Sequence, residues 1–497
     1  MRYSLLLLLL LLISTQQTPQ SLAEDNFYTS PTGNDANSGS IDSPWGSITH
    51  GITQVKPGDT LYIREGVYHE KLRLDASGTS QNYICIRNYP GETPVIDGTD
   101  SDGNGLVASA SYFKLVGLEF RSWDENALWI ESSHHFELIN ITVHEVEYGI
   151  GVADGSHDFL LKNCNIFDFV LYGFDASPVT DSSCYNALIQ DCAAYHGSDS
   201  DQNVDGFAVG HGTQSGFTFV NCTTYDVYDG FDISSHDTML IGCLSWGCWN
   251  TGYKLWGNNI TLVNSIDSGS NNNLELDWSG TPKTVNVIHS DFIDSKTFGI
   301  WVENRLDKIK LYNSVVAGGE NIALCFENGN SDSYTGDYNL IHSQNQDRII
   351  SIAYEQEYSL ADISQGKWSQ DTGQDSHSLF SPDTMDIFMD LENMNLYPAP
   401  SSLLLDRGDP SKSIPYDYTY NTRGDLPDIG AFEYSETANT SIKPVFKISE
   451  TNTVTQQKNM DHGVEPTNSY TTYLYAALVI IILLILYYVR WKILYKS

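Results

Sequence analysis

A short unit recurs down the middle of this chain and restricts it to a repetitive fold. Each copy has one residue, a glycine, a bulky apolar residue and a variable fourth position. The copies read Tyr148-Gly149-Ile150-Gly151, Tyr172-Gly173-Phe174-Asp175, Asp205-Gly206-Phe207-Ala208, Asp229-Gly230-Phe231-Asp232, Thr251-Gly252-Tyr253-Lys254 and Phe298-Gly299-Ile300-Trp301. From Gly149 to Gly252 the glycines step by 24, 33, 24 and 22 residues; a step of 47 to Gly299 is two turns, with Asn273-Leu274-Glu275 filling the missing one. Periods of this length mark solenoids, whose coils bury their apolar sides against their neighbours. The expected class is all-β, a right-handed parallel β-helix. In three consecutive coils the flanking positions are Asp205, Asp229, Asp232 and Lys254, a chemical cluster on a repetitive scaffold.

Such a scaffold suits 497 residues, because a solenoid lengthens without enlarging one core. The formal charge of −37 argues against nucleic acid and anionic lipid, which are met by Lys and Arg. An anionic polysaccharide would need a bridging cation. A monomer is expected.

The termini predict export. Residues 1–23 combine Arg2, the apolar run Leu5 to Ile13 and Ser21-Leu22-Ala23, the pattern of a signal peptide. Tyr473 to Val489 is an unbroken apolar run at the lower limit for a transmembrane helix. Tyr487, Tyr488 and Trp491 match an aromatic belt, and Arg490, Lys492 and Lys496 place the tail 490–497 in the cytoplasm. The expected location is the cell surface. Between core and membrane, 435–472 is rich in Thr, Ser and Asn, as in a disordered stalk.

Residues 24–112 read as an N-terminal opening and cap region of short strands, with one short helix near Ile48 to Val55. The helix core is expected over 113–400, its coils opened by runs such as Phe113-Lys-Leu-Val, Phe136-Glu-Leu-Ile and Ile260-Thr-Leu-Val. A C-terminal cap follows at 401–434. Cys164, Cys192, Cys222 and Cys243 end matching segments and read as an inward ladder of small apolar side chains. Cys85, Cys184, Cys248 and Cys325 are left open between thiol and disulfide.

Neighbouring parallel strands lie about 4.8 Å apart, so equivalent positions stack. Asp205 should lie on Asp229, and Asp232 beside Lys254. Carboxylates at that spacing repel unless a cation lies between them, and hard oxygen ligands suit Ca²⁺. Asp-Gly pairs are also common turn formers, and a lone lysine is ordinarily a solvated one. The register over three coils is what favours chemistry.

The opening Tyr28-Thr-Ser-Pro-Thr-Gly-Asn-Asp and the closing Asp-Ile-Gly-Ala-Phe-Glu-Tyr resemble the two ends of many secreted parallel β-helix proteins. Residues 203–257 resemble polysaccharide lyase family 9, the pectate lyases with a calcium-aspartate site and a lysine base. The family's Asp-Gly matches Asp205-Gly206, its Asp-Gly-aromatic-Asp matches Asp229-Gly230-Phe231-Asp232, and its Gly-aromatic-Lys-Leu matches Gly252-Tyr253-Lys254-Leu255. The resemblance implies Ca²⁺ on Asp205, Asp229 and Asp232, with Lys254 as catalytic base. It implies β-elimination on an acidic, uronate-containing polysaccharide. A metal on the uronate carboxylate would stabilise charge as the C5 proton leaves, and a lysine can take that proton only when neutral. One departure is Tyr228-Asp229, where the family has two adjacent aspartates; Asp199, Asp201 and Asp226 are the nearby replacements. With no Arg in this stretch, His211, His236, Trp249 and Trp256 are further candidates to meet substrate. Glu275, Asp277 and Asp175 share neighbouring columns, and Trp246 and Trp278 are equally core or sugar-stacking residues.

Two rival readings remain. Gly210-His211-Gly212 resembles polygalacturonases, but that family's motif order and its Arg-Ile-Lys are absent, and inverting hydrolysis has no role for Lys254. A non-catalytic polysaccharide-binding or adhesin surface protein is the other.

Overall fold

The computed structural model describes residues 25–435 apart from 178, 181, 199–202, 211–212, 277–281, 319–320, 330, 383–386 and 392–393. The expected signal peptide, almost all of the stalk, the apolar span 473–489 and the tail lie outside the described residues. So do Asp199, Asp201, His211, Asp277 and Trp278. Among the described residues no helix is long and apolar enough to cross a membrane.

The chain forms the expected right-handed parallel β-solenoid, of about 12 turns. One face is a sheet of thirteen parallel strands among the described residues, running from Asn26–Thr29 through Thr60–Ile63, Ile84–Asn88 and Phe113–Val116 to Tyr334–Asp337. Alternation builds this face: in Phe113–Val116 and Phe136–Ile139 every second residue points inward, and Phe113, Phe136 and Phe159 stack at 5.3 and 4.8 Å. The remaining strands form the other faces, except Phe388–Asp390 and Asn395–Pro398, which make a separate antiparallel pair. Early coils use long bent strands, Glu119–Glu131, Thr142–Ala153 and Asn165–Ala176. From Ala193–Gly197 onward the corner splits, and a separate strand begins at each repeated glycine: Asp205–Val209, Asp229–Ile233 and Thr251–Leu255.

One turn of the coils is made by a left-handed residue that recurs from coil to coil. Asn140, Asn163, Asp191, Asn221, Asn264, His289 and Asn313 all have φ between 47° and 54°, a region that short polar side chains enter more readily than others. Asn163 donates to Asn140 at 3.2 Å, and Asn221 to Asp191 at 3.1 Å, so the turn residues form a ladder between coils. The next residue points inward, giving a column of Cys164, Cys192, Cys222 and Cys243 continued by Ser265, Ser290 and Ser314. The Cys164 amide lies 3.4 Å from Cys192 Sγ, and the Ser265 amide donates to Ser290 Oγ at 3.1 Å. All eight cysteines are free thiols, including the four left open from the sequence.

The helix Ile48–Gln54, capped by Ser47, covers the first coils with Ile48 and Ile52 buried. At the other end Lys367–Thr372 inserts Trp368 against Tyr334 and Tyr358. Residues 404–433 lie along the flank of the coils. Tyr420 hydroxyl donates to Asn221, Arg423 to Asn264, and the Asp409 amide to Asn313, so one segment ties together several turns.

Candidate active site

The recurring glycines fix the geometry of the site. A Cβ on Gly230 would lie 2.5 Å from both Ser245 Oγ and the Gly252 carbonyl, so only glycine lets these corners close. The apolar residue after each glycine enters the core, where Phe207, Phe231 and Tyr253 stack at 5.2 and 5.0 Å with interplanar angles of 10° and 3°. That stack holds three coils in register and leaves the neighbouring positions facing out. Asp205 pairs with Asp229, and Asp232 pairs with Lys254, as the column predicts.

The four side chains converge. One carboxylate oxygen from each of Asp205, Asp229 and Asp232 lies within 4.8 Å of the others. Lys254 Nζ is 3.3 Å from Asp229 Oδ2 and 3.8 Å from Asp232 Oδ2, and the Trp256 ring lies beneath it at 4.9 Å. Asp205 and Asp229 are buried, while Lys254 and Asp232 keep side-chain exposures of 14% and 16%, so the cluster opens on their side. Burial, then the charges of Asp232 and Asp229, push the Asp205 carboxyl well above the usual carboxylate range. Burial also raises Asp229, although Lys254, Asn250 and the Thr251 amide pull it down.

The polar partners of the two buried carboxylates leave one oxygen unmet. Asp205 Oδ2 accepts from Asn203 at 3.0 Å, but its buried Oδ1 has no hydrogen-bond partner. Asp229 Oδ1 accepts from Asn250 Nδ2 at 2.8 Å and from the Thr251 amide at 3.0 Å. A buried orphan oxygen beside two further carboxylates fits a hard divalent cation, which would satisfy the first and relieve the repulsion among all three. The residues that would hold Ca²⁺ are Asp205, Asp229 and Asp232.

Other expected participants divide. Glu275 occupies Lys254's row one coil on and accepts from Thr251 Oγ1 at 2.7 Å. Asp175 sits in the same row on the other side, through Ala208. Asp226 is an exposed left-handed turn residue outside the carboxylate cluster. His236 accepts from the Asn258 amide, and Trp246 stacks on Tyr225 at 3.9 Å in a separate outer ladder. Sequence reasoning missed Asn250, Thr251 and Tyr172. The signal was present for two of them, since Thr251 holds the column position of Asp205 and Asp229 one coil later. Tyr172 precedes Asp205 in that row and is pushed up to about 12, first by burial and then by Asp205.

The chain is similar in sequence and in fold to known proteins. Residues 27–273 match the family model described as the Pel9A-like, right handed beta helix region. Pectate lyase PEL9 of Emericella nidulans is 30% identical over 142 residues, 28% of this chain and 32% of that protein. The uncharacterized protein YwoF of Bacillus subtilis is 40% identical over 150 residues, covering 29% and 28%. The matched stretches thus span about a third of these relatives' own length. Among solved structures, the crystal structure of pectate lyase Pel9A has a TM-score of 0.54 at 15% identity, over 83% of this chain and 97% of that one, a likeness of fold.

Proposed function

We propose that this chain, a Pel9A-like right-handed β-helix protein over residues 27–273, is a polysaccharide lyase that cleaves a uronate-containing, pectate-like polymer by β-elimination. The observation that carries the reading is the convergence of Lys254 Nζ with the Asp205, Asp229 and Asp232 carboxylates. When bound there, Ca²⁺ supplies charge that neutralises the carboxylates, competes with the ammonium for them and steadies the negative charge of a uronate losing its C5 proton.

Lys254 takes the C5 proton on its amine nitrogen. The C5–H electron pair becomes the C4=C5 double bond, the C4–O bond breaks, and the departing oxygen is protonated from solvent. Trp256 supports the cationic form that results, because a ring face attracts an ammonium. Asn203, Asn250 and Thr251 hold Asp205 and Asp229 in place. The signal-like pattern of residues 1–23 and the apolar run 473–489 support a β-helix that acts outside the cell, tethered at its C-terminus, and we take it to act as a monomer.

The test is an assay of the full-length protein, with and without Ca²⁺, against pectate, alginate and glycosaminoglycan-like polymers. An ultraviolet-absorbing unsaturated uronate formed only with Ca²⁺ supports the reading. Saturated products would indicate hydrolysis, and binding without cleavage a non-catalytic surface protein.

A further inference from the structure

The row of outward positions that holds Asp232 and Lys254 extends well beyond them. Strand pairing runs it through Arg73, Val107, Trp129, Gly151, Asp175, Ala208, Asp232, Lys254, Glu275 and Trp301. Trp129 therefore stands four coils from Asp232, about 19 Å along the axis. Its indole leans toward the site: a Cβ on Gly151 would meet Trp129 Cε3 at 2.7 Å and Cζ3 at 2.9 Å. Gly151 is the only copy of the repeat with glycine in the fourth position, and its missing side chain is what lets the ring lie over the next coil. The ring is pinned there by a hydrogen bond from Nε1 to Glu131 Oε2 at 3.0 Å.

Trp129 differs from the molecule's outer aromatic ladder. In that ladder His144, Phe167, Tyr195, Tyr225 and Trp246 cover one another's faces at 3.9–5.4 Å. Trp129 joins no ring stack among the described residues and remains partly exposed. An indole laid over a coil in the catalytic row is a platform for a pyranose ring, whose C–H face packs on an aromatic face.

The charge around it restricts which sugar. Between Trp129 and Asp232 the row offers Gly151, Asp175 and Ala208 and no cation. Glu125, Glu147 and Asp175 lie close enough to raise the neighbouring Tyr148 phenol, after the larger effect of burial, and Glu131 holds the indole itself. Apart from Lys254 in the centre itself, the basic side chains in or beside this row among the described residues, Lys71 and Arg73, come from coils before Trp129; Lys71 Nζ lies against Gly103 beside the Glu125 carboxylate, and Arg73 is bound to Asp75 at 2.9 Å. A free uronate would meet repulsion here.

We infer that Trp129 over Gly151 is a distal subsite that stacks an uncharged sugar, neutral or methyl-esterified, of the polymer whose free uronate occupies the Asp205–Lys254 centre. This rests on the proposed polysaccharide function of that centre, and it implies a substrate of mixed charge extended along the helix axis.

The test compares full-length wild type, Trp129→Ala and Trp129→Phe on partly methyl-esterified and fully de-esterified polygalacturonate. Trp129→Ala should raise KM on the esterified polymer about tenfold and erase its advantage over the de-esterified one, and Trp129→Phe should restore most of it. Calorimetric titration of the same polymers into Lys254→Ala and Lys254→Ala/Trp129→Ala chains reads affinity without cleavage, and thermal melts check folding. An equal loss for both polymers, or an unchanged affinity ratio in a folded Trp129→Ala chain, overturns the subsite. If wild type cleaves nothing but binds the esterified polymer through Trp129, the subsite stands and the lyase reading fails.

Discussion

The Lys254 ammonium and the Asp229 carboxylate, contributed by successive coils, meet at 3.3 Å, with Asp229 fully buried and Lys254 partly open to solvent. Neither residue is near the other in sequence, and no loop brings them together. Their meeting follows from strand stacking, so small changes in the coils' register should act directly on the chemistry.

Replacing Asp205 with Asn should have opposite effects with and without metal. Its carboxyl is held well above the ordinary range, so the stability it contributes is present below about pH 4 and lost as pH rises through the folded value. In calcium-free buffer near pH 8, Asp205→Asn should therefore melt higher than wild type. With excess Ca²⁺ the wild type should gain more, because binding to the native state alone stabilises it. Calorimetry with EDTA and with Ca²⁺ checks both signs; a destabilised calcium-free variant with an undiminished Ca²⁺ shift would contradict the assignment.

Asn250 acts through Asp229, to whose Oδ1 it donates at 2.8 Å. Asn250→Ala should weaken Ca²⁺ binding about tenfold or more, as loss of an orienting partner does at metal sites, while activity recovers at saturating Ca²⁺. Titration calorimetry and the Ca²⁺ dependence of the rate measure the two effects.

Much of this arrangement is legible in the sequence, for a physical reason. A glycine where corners close and an aromatic that stacks inward set the register of each coil, and strand periodicity then assigns the flanking residues to one face. Asp205, Asp229, Asp232 and Lys254 could be placed from that alone. The flank packing of 404–433 could not, since Arg423 reaches Asn264 across 159 residues with no periodic signal. Helices Leu360–Ser364 and Lys367–Thr372 escaped because they are short and lie where the repeat fades. Trp129 escaped because its importance depends on a glycine one coil away.

The core stack should be expensive to interrupt. Phe231 lies between Phe207 and Tyr253 and is fully buried, so Phe231→Ala should cost about 3–5 kcal/mol. Denaturant unfolding measures it, and a loss below about 1 kcal/mol would mean that the coils are not held by this column.

Two more buried acids predict a pH trend. Burial pushes Asp267 and Asp291 to about 7, whereas the unfolded chain loses these protons near 3.8. The native state holds more protons between those values, so each costs about 1.4 kcal/mol per pH unit as pH rises toward 7. His289, kept neutral by burial, works the other way below about 6.5 and offsets one of them. The net contribution of the three falls from pH 5 to 7, and Asp267→Asn should flatten the measured melting profile over that range.

The most direct test is Lys254→Ala, assayed with Ca²⁺ by the ultraviolet absorbance of unsaturated uronate and by Ca²⁺ titration. Wild type should form unsaturated ends, and the variant should fold and still bind Ca²⁺ while losing at least about a hundredfold in rate. A variant that eliminates at the wild-type rate, or a wild type whose products are saturated, would contradict the account.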